Sequence, residues 1–376
     1  MSALPISPAM GTSVLTVGGA MIDTIAVIDD DLIERMSMNN ADRAYLLLEE
    51  GRKTEASIIS THVGGGAINS AVSFARLGFS VTALVKVGKD ARAQAVRDAL
   101  HAEGVSLTLV AETGAAGTGA SVLISAHEKN AAIFTFRGAN SYLEASDLER
   151  ADFSQNIVYV TGLSNQSAGV FPEIVDRAAA QGAFVAANPG IRQLAARGGA
   201  FEKTLSKISL LSMNHDEAAT LIPRLLERYP KPSRTYSPAV TRDSTDLVRR
   251  GLSASGFDMT LPHFCEALLA LGPQCILVTD GKRGAYAAAG NEIIFCPSLA
   301  TKVVGTAGAG DAFTSTFTAM YANGVMPGEA LQYAATNASS VVEFADTQSG
   351  LLGWMPLHNA LALSKDRLPL SRWSAE

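Results

Sequence analysis

The sequence predicts an α/β protein with a doubly wound, mostly parallel central sheet, helices on both faces of that sheet, and a small β-sheet lid. Short apolar runs alternate with helical patterns along most of the 376 residues, which is typical of parallel sheets covered by helices. The predicted strands are 14–18, 81–87, 157–160, 184–187, 208–213 and 275–279, and the predicted helices are 68–77, 91–102, 170–181 and 191–205. Because ligands of such sheets bind at the carboxyl ends of the strands, we expect the functional site there.

Two stretches interrupt the alternation. Residues 26–62 are charged and loop-like, with a weak helical patch at 43–50, whereas residues 113–137 hold two alternating segments around a polar turn at 127–130, as in a hairpin. Strands outside a doubly wound core are typical of a lid over the site, although simple surface elaboration would give the same pattern. The predicted division is a core of residues 1–25, 63–112 and 138–376, a lid of residues 26–62 and 113–137, and an insertion or mobile loop at 223–262 within the core.

The composition excludes several classes of protein. Hydrophobic residues make up 47% of the chain and charged residues 18%, as in a globular protein and not a disordered one. The net charge of −6 and the lack of a Lys/Arg run argue against nucleic-acid binding, and no apolar stretch is long enough to span a bilayer. Three scattered cysteines, no CxxC pair and no secretory signal predict a cytoplasmic protein, and the histidine spacing predicts no protein-built transition-metal site.

The segment 305–324, GTAGAGDAFTSTFTAMYANG, is a Gly-rich turn that leads into an amphipathic helix. Because Gly308, Ala309 and Gly310 carry almost no side chain, their N–H groups and the positive end of the helix dipole are available to bind an anion. Asp311 follows at the same point. Its carboxylate is either an ordinary N-terminal cap or a general base that deprotonates a hydroxyl while the hydroxyl attacks a phosphoryl group.

A second Gly-rich entry into a helix lies at 64–69 and reads GGGAIN. It is not the GxGxxG dinucleotide fingerprint, because Asn69 stands where the third glycine belongs, and this disfavours a Rossmann dehydrogenase. Gly65 and Gly66 would let a ligand contact the backbone, and the Asn69 amide can both donate to and accept from hydroxyls. Close packing of the helix on a strand is the alternative explanation.

Polar side chains also follow two predicted strands. Asp23 comes after the first strand, where a carboxylate can bind the hydroxyls of a polyol or serve only as a turn residue. Asn214 and Glu217 follow the strand at 208–213, and their oxygens suit Mg²⁺ and its waters. The same pair fits an N-terminal capping box, and the two roles are compatible.

The turn TDGKRG at 279–284 joins the last predicted strand to a further strand at 285–288. Gly281 and Gly284 permit a tight turn whose N–H groups, beside Thr279, would cradle nucleotide phosphates. A plain hairpin turn is the alternative.

These motifs, in this order, resemble those of the ribokinase-like carbohydrate kinases, also called the PfkB family. The resemblance runs from GGAMID through GGGAINSAVSFARLG, FRGAN, NHDEA and TDGKRG to GTAGAGDAFTSTF, and it covers nearly the whole chain. It implies a ribokinase-like fold and an ATP- and Mg²⁺-dependent kinase that phosphorylates a hydroxyl of a sugar or of a nucleoside ribose. The long first lid segment favours the adenosine-kinase-like branch.

The resemblance also implies roles for individual residues. Asp311 would be the catalytic base, and Gly308, Ala309 and Gly310 would form the anion hole for the transferring phosphoryl group. The implied substrate-binding residues are Asp23, Gly65, Gly66, Asn69, Arg137 and Asn140. The implied cofactor-binding residues are Asn214, Glu217, Thr279, Gly281, Gly284 and Asn337, with Glu217 holding Mg²⁺ through water and Asn337 near the adenine.

One position departs from the family pattern. Many members read D-T-x-G-A-G-D at the C-terminal motif, where the first Asp helps to bind an activating monovalent cation, but this chain has Gly305 there. An oxygen ligand is therefore missing, which puts K⁺ activation in doubt. We predict a cytoplasmic kinase for a small sugar or nucleoside, with no nucleic-acid or membrane partner and with lid edges that offer a homodimer interface. A catalytically silent sugar or nucleotide sensor on the same fold is the alternative, and the intact Asp311 argues against it.

Overall fold

The computed structural model describes residues 11–29, 32, 34–37, 44–47, 51, 53–126, 131–237 and 246–376. Its strands are β1 Ser13–Gly18, β2 Met21–Ile28, β3 Glu34–Ser37, β4 Ala44–Leu47, β5 Ile58–Gly64, β6 Ser80–Val87, β7 Val110–Glu112, β8 Gly119–Ala126, β9 Ala131–Phe136, β10 Ile157–Thr161, β11 Phe184–Asn188, β12 Leu210–Asn214, β13 Tyr236–Ser237, β14 Leu252–Ala254, β15 Phe257–Met259, β16 Cys275–Thr279, β17 Ala285–Ala289, β18 Glu292–Cys296 and β19 Ser371–Ala375. Its helices are α1 Gly66–Arg76, α2 Ala91–Ala102, α3 Ala145–Leu148, α4 Phe171–Ala180, α5 Ile191–Glu202, α6 His215–Ala219, α7 Ile222–Arg228, α8 Asp246–Arg250, α9 Leu261–Leu269, α10 Ala309–Ala322, α11 Pro327–Val341 and α12 Trp354–Ser364.

The central sheet has eleven strands within the described residues, in the order β13-β19-β18-β17-β16-β12-β11-β10-β1-β6-β7. The strands from β16 to β7 pair in parallel. The remaining four pair antiparallel and extend one edge. All six predicted core strands lie side by side in the parallel part, so the predicted doubly wound, mostly parallel sheet is confirmed.

Both faces of the parallel strands are apolar, because successive side chains of a strand point to opposite sides of the sheet. Val14 and Tyr159 belong to a buried cluster that includes residues of α1, α10 and α11. Their sequence neighbours Leu15 and Val158 belong to the cluster on the other face, which includes residues of α4, α5 and α9. The apolar runs of the sequence therefore mark strands that helices cover on both sides. No helix in the described part of the chain is long and apolar enough to cross a bilayer.

A separate four-stranded sheet forms the lid, in the order β5-β2-β8-β9. The antiparallel pair β8–β9 is the predicted hairpin, and its predicted polar turn at 127–130 lies outside the described residues. Strands β2 and β5 of this sheet run from Met21 to Gly64, which is beyond both ends of the predicted first lid segment at 26–62. The predicted helical patch at 43–50 is wrong for residues 44–47, which form β4 and pair antiparallel with β3. Pairing between strands has overridden a weak local helical pattern.

The stretch predicted as an insertion, 223–262, contains regular structure in most of its described part, apart from residues 229–235. Most of α7 comes first, and two-residue β13 then extends the central sheet beside β19. After residues 238–245, which lie outside the described residues, α8 leads into the small antiparallel hairpin β14–β15. The described part of the insertion therefore extends the antiparallel edge of the central sheet through β13 and contacts α6 and α9 through its other elements.

Candidate active site

The first turn of α10 carries the residues of the predicted anion hole and base. Gly308 is the N-cap and adopts the left-handed conformation, with a φ of 79°, which is strained for a residue that has a side chain. A Cβ atom at Gly308 would lie 2.7 Å from the Cβ atom of Thr347, so the turn requires glycine. Because Gly308 occupies the N-cap position and Asp311 lies inside the first turn, the interpretation of Asp311 as an ordinary cap does not hold.

Two cavities lie against this turn, one of 510 Å³ and one of 170 Å³. Ala309 and Gly310 line the larger cavity, whereas the next residue, Asp311, lines the smaller one. Eight other predicted residues line one of the two cavities, whereas Gly308, Asp23, Asn69, Asn214 and Asn337 line neither. Thr279, Gly281 and Gly284 line the larger cavity, and Gly65, Gly66, Arg137, Asn140 and Glu217 line the smaller one. The helix start therefore separates a space for a larger ligand from a space for a smaller one.

Asp311 has the surroundings of a base. Its Oδ2 atom accepts a hydrogen bond of 2.7 Å from Nδ2 of Asn69. Burial raises the pKa of Asp311, the nearby charge of Asp23 raises it further, and the hydrogen bond from Asn69 opposes both. A carboxylate whose pKa is raised is a better proton acceptor near neutral pH than an ordinary aspartate.

The start of α1 brings Asn69 to Asp311. Gly65 is the N-cap of α1, with a φ of 98°, and a Cβ atom there would lie 2.6 Å from the carbonyl oxygen of Gly19. Gly65 is thus required by close packing, as the structural explanation of the GGGAIN motif expects, and it also lines the smaller cavity together with Gly66. Asn69, one turn into the helix, is 4% exposed, so its amide is committed to partners inside the protein.

Asn140 and Arg137 lie where the lid joins the core. The Oδ1 atom of Asn140 accepts from the backbone N–H of Ala20, and its Nδ2 atom donates to the carbonyl oxygen of Ala20, both at 2.9 Å. This two-point contact fixes the connection between β1 and the first lid strand. Arg137 is exposed and lines the smaller cavity, where its positive charge suits an anionic group.

Asp23 lies on lid strand β2, and not at the end of a core strand as the sequence suggested. Its neighbours across the lid sheet are His62 on β5 and Ser121 on β8, and the Ser121 hydroxyl donates a hydrogen bond to Oδ1 of Asp23. Burial raises the pKa of Asp23, which the Ser121 hydrogen bond and His62 counteract. Asp23 is not among the residues that line the 170 Å³ cavity, but its charge acts on Asp311.

Asn214 and Glu217 form the predicted capping box at the start of α6. Oδ1 of Asn214 accepts from the N–H of Glu217 at 2.8 Å, and Oε2 of Glu217 accepts from the N–H of Asn214 at 2.9 Å. Glu217 also lines the smaller cavity with Asp311. Burial raises the pKa of Glu217, and the charges of Asp216 and Asp311 add to the effect. A cation that binds in this cavity would therefore reduce the repulsion between the carboxylates of Glu217 and Asp311.

The donor set fits Mg²⁺ that is held mainly by waters and phosphate oxygens. Within the described residues, no group of three or more His, Cys, Asp or Glu side chains is placed to hold a metal ion. Mg²⁺ commonly keeps several waters and takes one or two carboxylates with substrate phosphates. Glu217, whose Oε2 alone is used in the capping box, matches that requirement.

The turn after β16 forms one wall of the larger cavity, through Thr279, Gly281, Lys282 and Gly284. Asp280, within this turn, is 1% exposed and binds two guanidinium groups, from Arg283 at 2.6 Å and from Arg250 at 3.0 Å. Burial alone would raise the pKa of Asp280, but the two arginines lower it overall. Because Arg250 ends α8, the insertion holds the turn in place.

The structure corrects the expectation for Asn337. The side chain is fully buried and does not line the larger cavity. Its Nδ2 atom donates to Oγ1 of Thr316 at 2.8 Å, and its Oδ1 atom accepts from the N–H of Leu352 at 2.9 Å. Helix α11 does reach the cavity, but through Ala335, Ala338 and neighbouring small residues, so Asn337 joins α10 to the loop after α11.

Several cavity residues escaped the sequence analysis. Thr161, Gly162, Asn188 and Gly190 line the smaller cavity, and they lie at or just beyond the carboxyl ends of β10 and β11. The rule that ligands bind at the carboxyl ends of parallel strands could have identified them. The apolar wall of the larger cavity, which includes Leu299, Val303 and Phe313, gave no motif because isolated apolar residues are common.

Comparison with known proteins agrees with this geometry. The family model described as "pfkB family carbohydrate kinase" matches residues 16–240 and 260–352, and the gap in the match falls within the predicted insertion. The deoxyribokinase of Salmonella typhi is 26% identical over 330 residues, which cover 86% of this chain and 94% of the relative. The ribokinase of Bacillus subtilis is 28% identical over 311 residues, which cover 82% and 89% of the two chains.

The fold is also that of solved ribokinases. The Arabidopsis thaliana ribokinase in complex with ribose and ATP superposes with a TM-score of 0.66 at 21% identity, and the match covers 93% of this chain and 98% of that one. The family match spans most of the chain, including the Gly-rich turn with Asp311 and the GGGAIN helix start. This chain therefore belongs to the pfkB family of carbohydrate kinases.

Proposed function

We propose that the protein transfers the γ-phosphoryl group of ATP to a hydroxyl of a small sugar or of a nucleoside ribose. The observation that carries the proposal is the position of the first turn of α10 between two cavities. Gly310 lines the larger cavity, whose size suits a nucleotide, and Asp311 lines the smaller cavity, whose size suits the acceptor. A base and an anion-binding turn at this point would meet both reactants of a phosphoryl transfer.

The proposed reaction uses Asp311 as the general base. The carboxylate accepts the proton of the acceptor hydroxyl as the oxygen forms its bond to the γ-phosphorus, and the bond from that phosphorus to the bridging oxygen of ADP breaks. The N–H groups at the start of an α-helix lack partners within the helix, so those of the 308–310 turn stabilise the transferring phosphoryl group together with the helix dipole. Closure of the lid would keep water away from the phosphoryl group.

Mg²⁺ would neutralise charge on the ATP phosphates when it is bound. Glu217 would hold it through water, because its second carboxylate oxygen is not used in the capping box and the side chain lines the cavity with Asp311. Thr279, Gly281 and Gly284 would line the ATP phosphates and ribose, and Gly65, Gly66, Arg137 and Asn140 would bind the acceptor with Asp23 of the lid. Asn69, whose amide bonds Asp311, Thr347 and Gln348, would act on the base and not on the acceptor directly. Asn337 is not proposed as an adenine ligand, since its amide is used inside the core.

Two observations favour a free pentose over a nucleoside as the acceptor. The named relatives, a deoxyribokinase and a ribokinase, favour a free pentose, and the cavity with Asp311 is about one third the volume of the other, 170 Å³ against 510 Å³. A nucleoside acceptor would need additional room beneath the lid for its base. That the chain belongs to the adenosine-kinase-like branch, as the long first lid segment suggested, stays a prediction.

The test is ADP release with ATP and Mg²⁺ over a panel of pentoses, deoxypentoses, hexoses, sugar acids and nucleosides. The proposal predicts strong, saturable ADP release with a small group of chemically related acceptors, accompanied by a phosphorylated product. Binding of ATP and of an acceptor without any ADP release or product would overturn it and would favour the silent sensor.

We further propose that the partner is a second copy of the chain, which covers the lid. One face of the lid sheet exposes four large apolar side chains, those of Ile59, Val122, Phe134 and Phe136. Val122 and Phe134 are directly opposite each other on β8 and β9, so the patch is continuous there. Apolar sheet faces of this kind commonly mark an interface, and a copy of the same face is a partner of matching shape and chemistry.

A further inference from the structure

The orientation of the Asn69 amide decides whether its donor, Nδ2, or its acceptor, Oδ1, faces the Asp311 carboxylate. An asparagine side chain carries a donor, NH₂, and an acceptor, the amide oxygen. With Nδ2 towards Asp311, the amide donates to the carboxylate and favours its ionised form; with Oδ1 in that place, it would favour the protonated form. Only the first orientation leaves Asp311 able to accept a proton from a hydroxyl. Some feature of the protein must therefore fix the amide.

Two residues of the loop after α11 do so. Oγ1 of Thr347 donates to Oδ1 of Asn69 at 2.8 Å, and Nε2 of Gln348 donates to the same oxygen at 3.2 Å. The Gln348 NH₂ group can only donate, so it requires an acceptor on that side of the amide, and the Thr347 hydroxyl, which can donate or accept, completes the same arrangement. The Nδ2 atom is consequently turned to Asp311, at 2.7 Å from Oδ2.

The loop that carries these residues is itself held firmly. Oδ1 of Asp346 accepts from the N–H groups of Gln348 and Ser349, at 2.8 and 2.7 Å. Nη1 of Arg76, at the end of α1, donates to the carbonyl oxygens of Gln348 and Leu351, at 2.6 and 2.9 Å. Since Arg76 and Asn69 belong to the same helix, the loop and the amide are fixed to a common support.

We propose that Thr347 and Gln348 are positioning residues for the reaction: they orient the Asn69 amide so that it donates to Asp311. Neither side chain lines the acceptor or nucleotide cavity, so each acts through Asn69. Gln348 also donates to the carbonyl oxygen of Val63 at 2.8 Å, next to the end of lid strand β5. The same side chain thus connects the base with the point where the lid joins the core. This inference rests on the proposed kinase function.

The experiment compares the wild type with the double variant Thr347→Val/Gln348→Leu, which keeps side-chain shape and removes both donors to Asn69. Thr347→Ser, which retains the hydroxyl, is the rescue variant, and Gln274→Leu at an exposed site is the control. The double variant is expected to lose about tenfold or more in kcat/KM for the acceptor at neutral pH, as for loss of a hydrogen bond to a charged group. The acidic limb in the pH profile of kcat/KM is expected to lie at higher pH in the double variant than in the wild type, while the KM for ATP stays unchanged.

A second readout does not need activity. In protein labelled with ¹³C at the aspartate carboxyl carbons, the Asp311 signal is identified by its loss in Asp311→Asn. Its titration midpoint is expected to be higher in the double variant than in the wild type, and near the wild-type value in Thr347→Ser and Gln274→Leu. An unchanged midpoint in the double variant, or an unchanged pH profile in an active enzyme, overturns the inference. If the wild type phosphorylates no acceptor, the proposed function fails while the titration still tests the orientation of Asn69.

Discussion

Asn69 and Asp311 are 242 residues apart in the chain, yet the Nδ2 atom of one lies 2.7 Å from the Oδ2 atom of the other. The contact joins the two Gly-rich helix starts, since Asn69 is in the first turns of α1 and Asp311 is in the first turn of α10. It also opposes the effect of burial on the pKa of Asp311. The proposed base is therefore tuned by an amide on the helix whose start lines the proposed acceptor cavity.

The pH dependence follows from the direction of that pKa. Burial and the charge of Asp23 raise the pKa of Asp311, and the Asn69 hydrogen bond only partly offsets them. The base must be ionised to act, so activity should fall as the pH drops through this raised value. We expect the acidic limb of kcat/KM, measured at saturating ATP, to lie above the range of an ordinary aspartate. A limb at or below that range would contradict the assignment.

The glycines of the anion-binding turn should differ in their tolerance of a methyl group. Gly308→Ala forces a side chain into a left-handed residue whose Cβ would lie 2.7 Å from that of Thr347, so we expect a loss of at least about 1–2 kcal/mol in the free energy of unfolding. Gly310→Ala is the matched control, because no atom lies within 4 Å of a Cβ there. Urea titration of both variants measures the difference. Equal stabilities would show that the turn does not require Gly308.

Dependence on a monovalent cation should be weak. Gly305 supplies no side-chain oxygen, and a Cβ atom at this position would lie 2.9 Å from the carbonyl oxygen of Phe344 and 3.2 Å from that of Ala345. We expect the same rate in NaCl as in KCl at equal ionic strength, and reduced stability in Gly305→Asp. A strong requirement of the wild type for K⁺ would contradict this prediction.

The lid face should determine the oligomeric state. If a second copy covers the exposed lid residues, the wild type will have the mass of a dimer in light scattering after size exclusion. Val122→Ser/Phe134→Ser should then shift the mass to that of a monomer, because two apolar side chains leave the interface. Phe257→Ser is the control, since Phe257 is 48% exposed on the hairpin β14–β15, outside the lid. A monomeric wild type, or a dimer in the double variant, would contradict the lid interface.

The parts of the molecule that the sequence predicts well are those with a local signal. The parallel strands are continuous apolar runs, because helices cover both of their faces. The α10 start is marked by Gly308, Gly310 and Asp311 within four residues, and the α6 start by the capping box of Asn214 and Glu217. In each case the residues that define the element are neighbours in the chain.

Contacts between distant segments gave no such signal. Thr347 and Gln348 lie 278 and 279 residues from Asn69, and nothing in their surroundings in the sequence marks them as partners of a Gly-rich helix start. The resemblance to the family placed Asn337 near the adenine, but successive residues of a helix point to different sides, and Ala338 is the neighbour that lines the larger cavity. Strand β4 depends on pairing with β3, which its own residues do not indicate.

The most direct measurement of the central claim is the rate of acceptor-dependent ADP release by Asp311→Asn, with an acceptor that supports wild-type activity. The amide keeps the shape of the side chain but cannot accept the hydroxyl proton, so we expect kcat to fall by about 10²–10⁴-fold, with little change in the KM for ATP and a folded protein by circular dichroism. A variant with wild-type turnover would show that Asp311 is not the base.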